Sequence, residues 1–406
     1  MAETKITKNL CMIFIDTSDG SSSPTWKRVD KSTILSIVMN AETESMDYIS
    51  QELPTEEIKS YKPSMDQEIA TYKGNPIYEF RFKKCYNCDL AHGTTLLRPT
   101  TVACADEELE RVFAALRAAR TAPGPKPDLY GIHLEGPYLA PEQKGAIDPR
   151  YLKLPEPAHV ERLLALGGAD IKRITLACEL PGALELCDRM GEAGVLLSIG
   201  HSDAEYATVC AAVAHGCSLV THLYSAMSTL RRRGAYRYLG LVESAYLIDA
   251  LSVEIIADGK HLPPELLRLI LKEKDNDAIS LITDAMRGAG QPDGTIARLG
   301  SLARGQDAIV RDGVAFVMDG SCFAGSVCTA DRCVRTIWRQ TDVPLHRAVA
   351  MMTQNPARVL GLDGRKGALR PGFDADLCVF GEDVAIEDVF VAGCRVVGPG
   401  EPERRA

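Results

Sequence analysis

The chain has 406 residues, of which 46% are hydrophobic and 25% charged. That is the composition of a folded globular protein, and it excludes collagen, coiled coil and extended disorder. The net charge of −9 speaks against a nucleic-acid or anionic-membrane surface, but not against a small anionic substrate that one pocket arginine can hold. No run of about 18 apolar residues occurs, so no membrane partner or transmembrane helix is expected. The start Met1-Ala2-Glu3-Thr4-Lys5 has no basic segment leading into a long apolar one, so no signal peptide is expected. Thirteen scattered cysteines, with one lone C-x-x-C pair at Cys85 and Cys88, read as reduced thiols of a cytoplasmic protein.

Two regions differ in texture. Residues 1–88 hold Trp26, many Ser, Thr and Tyr, and no histidine; strands are predicted at Cys11–Ile15, Ser32–Met39 and Ile77–Phe82. From residue 89 the chain is rich in Ala, Leu, Gly and Arg, and all eight histidines follow, His92 being the first. Seven apolar runs read as strands: Thr95–Val102, Leu129–Leu134, Arg173–Ala177, Val195–Ile199, Ser218–His222, Val253–Ala257 and Ile279–Thr283. Helical stretches separate most of them. Asp106–Arg120 has Leu109, Val112, Phe113 and Leu116 at three- and four-residue spacing, and Pro263–Lys274 opens on Pro-Pro-Glu. Such alternation implies an α/β fold with a parallel sheet, one unit short of a (β/α)8 TIM-type barrel. The missing strand must come from the first 88 residues or be absent. After Met351–Gly361 and the Gly/Pro stretch Gly364–Gly372, short runs at Ala375–Phe380, Val389–Ala392 and Arg395–Val397 read as a small β domain. The division is then 1–88, 89–350 and 351–406.

In such a barrel the working side chains project from the C-terminal ends of the strands. The predicted strands end in Glu135, His201, His222, Asp258-Gly259-Lys260-His261 and Asp284. One Glu and two His suffice to hold a catalytic metal with an open position, and an Asp on the last strand is placed to act as a base toward water. Each residue alone has a plainer reading. A strand-end histidine is often only hydrogen-bonded, Asp284 could cap a helix, Glu135 could pair with Lys144 or Arg150, and His215 reads as surface. The case rests on their coincidence on one face.

These residues sit in stretches that resemble the N-acetylglucosamine-6-phosphate deacetylase family of the amidohydrolase superfamily. The stretches are Gly131-Ile-His-Leu-Glu-Gly-Pro-Tyr138, Lys144-Gly-Ala146, Ser198-Ile-Gly-His-Ser202, Val220-Thr-His-Leu-Tyr-Ser-Ala-Met227, Ile256-Ala-Asp-Gly-Lys-His261, Leu281-Ile-Thr-Asp-Ala285, Phe323-Ala-Gly-Ser326, Thr353-Gln-Asn-Pro-Ala357 and Lys366-Gly-Ala-Leu-Arg-Pro-Gly-Phe-Asp-Ala-Asp376. The resemblance implies that Glu135, His201 and His222 hold one divalent metal ion, with zinc first and iron, cobalt or manganese also suited. It implies that Asp284 is the catalytic acid/base. It implies substrate contacts at Ala146, Ser225, Ala226, Arg233, His261, Phe323, Ala324 and Gly325, with Arg233 on the sugar phosphate. Ser225 stands where the family often has Asn, so one contact has fewer donors. The reaction implied is release of acetate from N-acetylglucosamine 6-phosphate, and, as family members are often dimers, a homodimer.

The likeness covers roughly residues 89–400. The family's His-x-His pair at the end of barrel strand one is absent, because no histidine precedes His92; a single-metal site is therefore expected. Residues 1–88 instead resemble a phage tail-tube-type protein around Lys62-Pro-Ser-Met-Asp-Gln-Glu-Ile-Ala70 and Lys73-Gly-Asn-Pro76. The fold expected is the (β/α)8 barrel, its strand one atypical or missing, with a small, incomplete β-sandwich domain; the alternative reading is a catalytically impaired fusion of a phage structural segment to a truncated deacetylase barrel with two open edges.

Overall fold

The alternation of apolar runs and helical stretches becomes a parallel sheet with helical crossovers. The computed structural model describes residues 14–16, 26–28, 88–301 and 304–398. Chain contacts divide the molecule into two units, Met12–Arg81 and a larger one of Met1–Cys11 with Phe82–Ala406. The described part of the first is an antiparallel pair, β1 (Phe14–Asp16) and β2 (Trp26–Arg28). The predicted strands Ser32–Met39 and Ile77–Phe82, and the tail-tube-like stretches 62–70 and 73–76, lie outside the described residues.

The larger unit begins with β3 (Leu96–Leu97) and β4 (Thr100–Thr101), then α1 (Asp106–Thr121), β5 (Asp128–Leu129) and β6 (Ile132–Glu135). Two predicted strands are thus each split. Pro99 has no N–H to give to a ladder, and at Gly131 a Cβ would fall 2.8 Å from the Asp170 carbonyl oxygen. β3 pairs with β5 and β4 with β6. α1 follows its pattern: Leu109, Phe113 and Leu116 are buried, with Asp106, Glu107 and Glu108 in the first turn and Arg120 in the last, matching the helix dipole. Next come α2 (Pro157–Gly167), β7 (Ile171–Leu176), α3 (Ala183–Glu192), β8 (Leu196–Ile199), α4 (Tyr206–Ala214) and β9 (Leu219–Val220). After a hairpin of β10 (Arg231–Arg233) and β11 (Tyr236–Tyr238) follow α5 (Leu241–Leu247), β12 (Ser252–Ile256), α6 (Pro264–Glu273) and β13 (Ile279–Ile282).

The seven-stranded parallel sheet runs β13-β12-β9-β8-β7-β6-β4. Among the described residues no eighth strand joins β4 to β13. Its strands are largely buried, as parallel strands covered by crossover helices must be. The sheet is curled. Strands lie about 4.8 Å apart, so a flat sheet would hold β6 and β9 about 14 Å apart, yet Glu135 at the end of β6 and His222 beyond β9 meet at 2.9 Å.

The sequence pattern did not announce a second sheet after β13. β14 (Ile296–Leu299), β15 (Gln306–Arg311), β16 (Val314–Val317) and β17 (Phe323–Ser326) form an antiparallel meander, where strand-helix alternation predicted more of the barrel. Its signal is Asp312-Gly313, with φ of 54° and 70°, the two-residue turn that fits the twist of a hairpin. Met286, Ala308, Val310, Ala315, Val317, Ala324 and Val327 form its core. α7 (Ala330–Gln340), α8 (Leu345–Met352) and α9 (Gln354–Val359) lead to β18 (Leu377–Phe380), β19 (Ile386–Val391) and β20 (Cys394–Val397). These make the small antiparallel sheet predicted at 375–397; Leu90 is buried against its Val389 and Val397. No helix of the described residues is long and apolar enough to cross a membrane.

His92 Nδ1 meets Asp331 Oδ1 of α7 at 3.0 Å. The hydrogen bond to Asp331, then that to Cys88, raises His92 from 6.5 to about 10. Burial works against the Asp331 carboxylate, but its bonds to His92 and Thr329 outweigh it and hold the group at about 2. His92 has a raised folded-state value, so its contribution is full below 6.5 and fades as pH rises through about 10. Asp331 contributes above 3.8 and loses this as pH falls toward 2. His92→Gln should therefore lower the melting temperature at pH 5–6 and have little effect near pH 10; equal losses at both would refute the pairing.

Candidate metal centre

Glu135 is the last residue of β6, and His201 and His222 each stand two residues beyond the ends of β8 and β9. Parallel pairing brings these ends to one rim. Glu135 Oε1 lies 3.0 Å from His201 Nε2 and 2.9 Å from His222 Nε2, and the two Nε2 atoms are 3.2 Å apart. All three residues are buried, and their donor atoms lie within 4.8 Å of one another. The sequence-level alternative pairing of Glu135 with Lys144 or Arg150 is not what the structure shows; Arg150 binds Asp148 instead.

The donors are oriented for a cation. His201 Nδ1 donates to the Gln143 carbonyl at 2.8 Å, so a neutral ring carries its lone pair on Nε2, toward the centre. His222 Nδ1 is buried and unpartnered. Burial disfavours charge on His222, but Glu135, by hydrogen bond and by charge, and then Asp284 and Glu254 push it up to about 9. Surroundings that favour a proton there favour a cation. Burial opposes charge on Glu135 as well, yet the bonds from the two histidines hold its carboxyl well below the usual range. A carboxylate and two imidazoles without a fourth protein donor are the set of an open catalytic site, so the residues fit a divalent metal.

Asp284 lies two residues past β13 and caps no helix; none follows it before β14. Its carbonyl accepts from Ser326 N at 2.8 Å, and Met286 N donates to the Ser326 carbonyl at 2.9 Å, so β17 grips it by backbone. Burial, reinforced by the charge of Glu135, raises the Asp284 carboxyl to about 6. His201, His222, Tyr224, Ala226 and Asp284 all have positive φ, from 32° to 76°, a conformation that side chains other than glycine rarely adopt and that concentrates at functional sites.

The remaining predicted residues divide. The loop carrying Ala146 lies beside His201 and Ala226: a Cβ on Gly145 would be 3.6 Å from His201 Cε1 and 3.5 Å from Ala226 Cβ. Ser225 N donates to the His222 carbonyl at 2.9 Å. The His261 and Phe323 rings are 4.6 Å apart between centroids. Ala324 is buried in the meander core, and Gly325 runs along Asp284. Arg233 stands on the β10–β11 hairpin, 2.6 Å from Glu205 and with its guanidinium 4.9 Å from the Tyr238 ring centroid. His215 is half-exposed on Asp188, as expected of a surface residue. Asp258 plays a part that sequence reading did not assign. Its Oδ2 holds His261 Nδ1 at 2.7 Å, and its Oδ1 accepts from the backbone N–H of Lys260 and His261. Its position two residues past β12 was the available signal.

Residues 79–396 match the amidohydrolase family. The chain belongs to that family. It is 34% identical over 307 residues to an N-acetylglucosamine-6-phosphate deacetylase of Lysinibacillus sphaericus, covering 75% of this chain and 76% of the relative. It is 32% identical over 303 residues to an N-acetylgalactosamine-6-phosphate deacetylase of Escherichia coli O157:H7, covering 73% and 75%. A mutant N-acetyl-D-glucosamine-6-phosphate deacetylase from Mycobacterium smegmatis, solved in complex with N-acetyl-D-glucosamine-6-phosphate, superposes with a TM-score of 0.69 at 34% identity over 76% of this chain and 78% of that one. The Thermotoga maritima deacetylase gives 0.70 at 28% identity over 78% and 83%. The amidohydrolase core is thus the larger unit described above.

Gly325 has φ of +85°, and a Cβ there would lie 3.0 Å from the Asp284 carbonyl oxygen. Gly325→Ala should cost about 1–3 kcal/mol of stability and displace Asp284. Thermal unfolding and circular dichroism of the variant check this; a wild-type melting temperature would show that the close approach imposes nothing.

Proposed function

We propose that the chain hydrolyses the acetamide of N-acetylglucosamine 6-phosphate, releasing acetate and glucosamine 6-phosphate in amino-sugar breakdown. The observation that carries this reading is the convergence of Glu135, His201 and His222 on one point beside a raised Asp284, within a chain 34% identical to a deacetylase of that substrate. The fusion alternative finds no support in a family match that runs from residue 79 to residue 396.

In this reading Glu135, His201 and His222 hold the divalent ion, zinc being the first choice among zinc, iron, cobalt and manganese for a carboxylate and two imidazoles. When bound, such an ion polarises the amide carbonyl and lowers the pKa of water. The protein supplies the rest. Asp284, with a carboxyl near 6, takes a proton from the attacking water and returns it to the departing amine nitrogen, which leaves poorly unprotonated. His261, fixed by Asp258 and packed on Phe323, steadies the acetamide. Ala146, Ser225, Ala226 and the Phe323–Gly325 strand line the sugar. Arg233, paired with Glu205 but with its side chain 58% exposed, binds the phosphate in this reading. We assign the chain to the cytoplasm, with a homodimer as the assembly to test.

Acetate release by the full-length chain with added zinc tests the reading, with N-acetylgalactosamine 6-phosphate as the competing sugar. Asp284→Asn should reduce kcat by about 10²–10⁴-fold, and the acid limb of the wild-type profile should fall at or below about pH 6. The sign follows because proton uptake requires the carboxylate. No acetate from folded, metal-loaded protein would sink the assignment. Arg233→Ala should raise KM for the phosphorylated sugar while kcat holds, and an unchanged KM would remove the phosphate role.

A further inference from the structure

Beneath the rim, the interior of the sheet is polar where a packed apolar layer would be ordinary. Arg173 of β7 is 1% exposed. Its Nη1 and Nη2 reach both carboxylate oxygens of Glu254 on β12, the second at 2.7 Å. Its Nε donates to Ser198 Oγ of β8 at 2.7 Å, and Nη2 also to Thr221 Oγ1 beyond β9 at 2.6 Å. Thr175, two residues along β7, meets Thr221 at 2.8 Å and His133 Nε2 of β6 at 2.6 Å. His133 Nδ1 is 3.0 Å from Thr100 Oγ1 of β4.

The positions are close to the donors above. His133 is two residues before Glu135, Ser198 three before His201, and Thr221 directly precedes His222. Glu254 also accepts Leu223 N on its backbone carbonyl at 2.7 Å. One guanidinium therefore ties, in a single plane, the segments that present His201 and His222, and it reaches β6 and Glu135 through Thr221, Thr175 and His133.

We propose that Arg173 is a positioning residue for the metal centre: its fork sets the spacing of Glu135, His201 and His222 through Ser198, Thr221 and the Thr175–His133 link. The inference rests on the metal-centre reading above. A buried pair is ambiguous evidence for stability, so a purely structural role is the rival.

The test is zinc affinity by competition with a chromogenic chelator, and the visible spectrum of the cobalt(II) form, for wild type, Arg173→Met, Arg173→Lys and Thr221→Val. Arg173→Met leaves Arg98, whose Nη2 is 3.8 Å from Glu254 Oε1, to balance the carboxylate. Thr221→Val is nearly isosteric and keeps a folded protein for the test should Arg173→Met not fold. Zinc affinity should fall about tenfold or more, the cobalt spectrum should change, and kcat at saturating metal should fall with KM within about twofold. Lysine restores charge but not the fork, so Arg173→Lys should behave like Arg173→Met. Variants with a lower melting temperature but wild-type zinc affinity and cobalt spectrum would overturn the positioning role. Wild-type protein that binds neither ion would overturn the metal-centre reading itself.

Discussion

Glu135 of β6 is level with Thr175 of β7, Thr175 with Ser198 of β8, and Ser198 with Leu219 of β9. His201 and His222 then stand three residues beyond Ser198 and Leu219. Parallel pairing imposes this: strands running in one direction put all their C-terminal ends on one rim, and a regular register sets how far each side chain rises above it. A carboxylate and two imidazoles separated by 66 and 87 residues meet within hydrogen-bond distance because the sheet carries them to one rim and curls. An antiparallel sheet of the same strands would send alternate ends to opposite faces.

The rim could not be so charged without support. Glu135 buried alone would take up a proton rather than remain ionised; two histidines at 2.9 and 3.0 Å make its charge tenable. The interior below repeats the solution with a bidentate Arg173–Glu254 pair whose remaining donors end on Ser198 and Thr221. Replacing such a pair with apolar side chains often costs a protein little. Its place directly under the centre fits the positioning role proposed for Arg173. The two cations also explain His133: burial, then Arg173 and Arg98, drive its pKa well down. It sits neutral, able to accept at one ring nitrogen and donate at the other, between Thr100 and Thr175.

Legibility in the sequence followed the same physics. All seven parallel strands were readable, because buried parallel strands are largely apolar runs, and the polar residues at their ends named Glu135, His201, His222 and Asp284. The two splits, at Pro99 and near Gly131, needed the partner strands to be known. The meander was missed although Asp312-Gly313 marks a tight hairpin: its strands expose Ile296, Gln306 and Asp307 and so lack the full apolar runs that marked the parallel sheet. The β10–β11 hairpin was unreadable for a stronger reason. Arg231-Arg232-Arg233 faces Tyr236-Arg237-Tyr238 with almost no burial, so no apolar pattern exists to find. Arg173 and Glu254 could not be paired from sequence either, since 81 residues and two intervening strands separate them.

Backbone strain at the rim has a counterpart in its hydrogen bonds. Left-handed conformations at His201, His222 and Asp284 cost about 1–3 kcal/mol each. Each is held by a backbone hydrogen bond at its carbonyl. The His201 carbonyl accepts from Ala140 N at 2.9 Å, that of His222 from Ser225 N at 2.9 Å, and that of Asp284 from Ser326 N at 2.8 Å. Ser202 and Asp203, just past His201, are anchored on the Glu179 carboxylate at 2.6 and 2.5 Å. The turn back over the sheet mouth that brings each side chain inward is therefore fixed by groups that do not themselves ligate. A centre built this way is preorganised for a divalent ion, which is where fixed electrostatics gains over flexible side chains. It also makes the strained residues intolerant of change at their supports. Gly325, pressed against the Asp284 carbonyl, and Thr221, adjoining His222, are two positions where a single methyl-scale substitution bears on the proposed centre without touching its donor atoms.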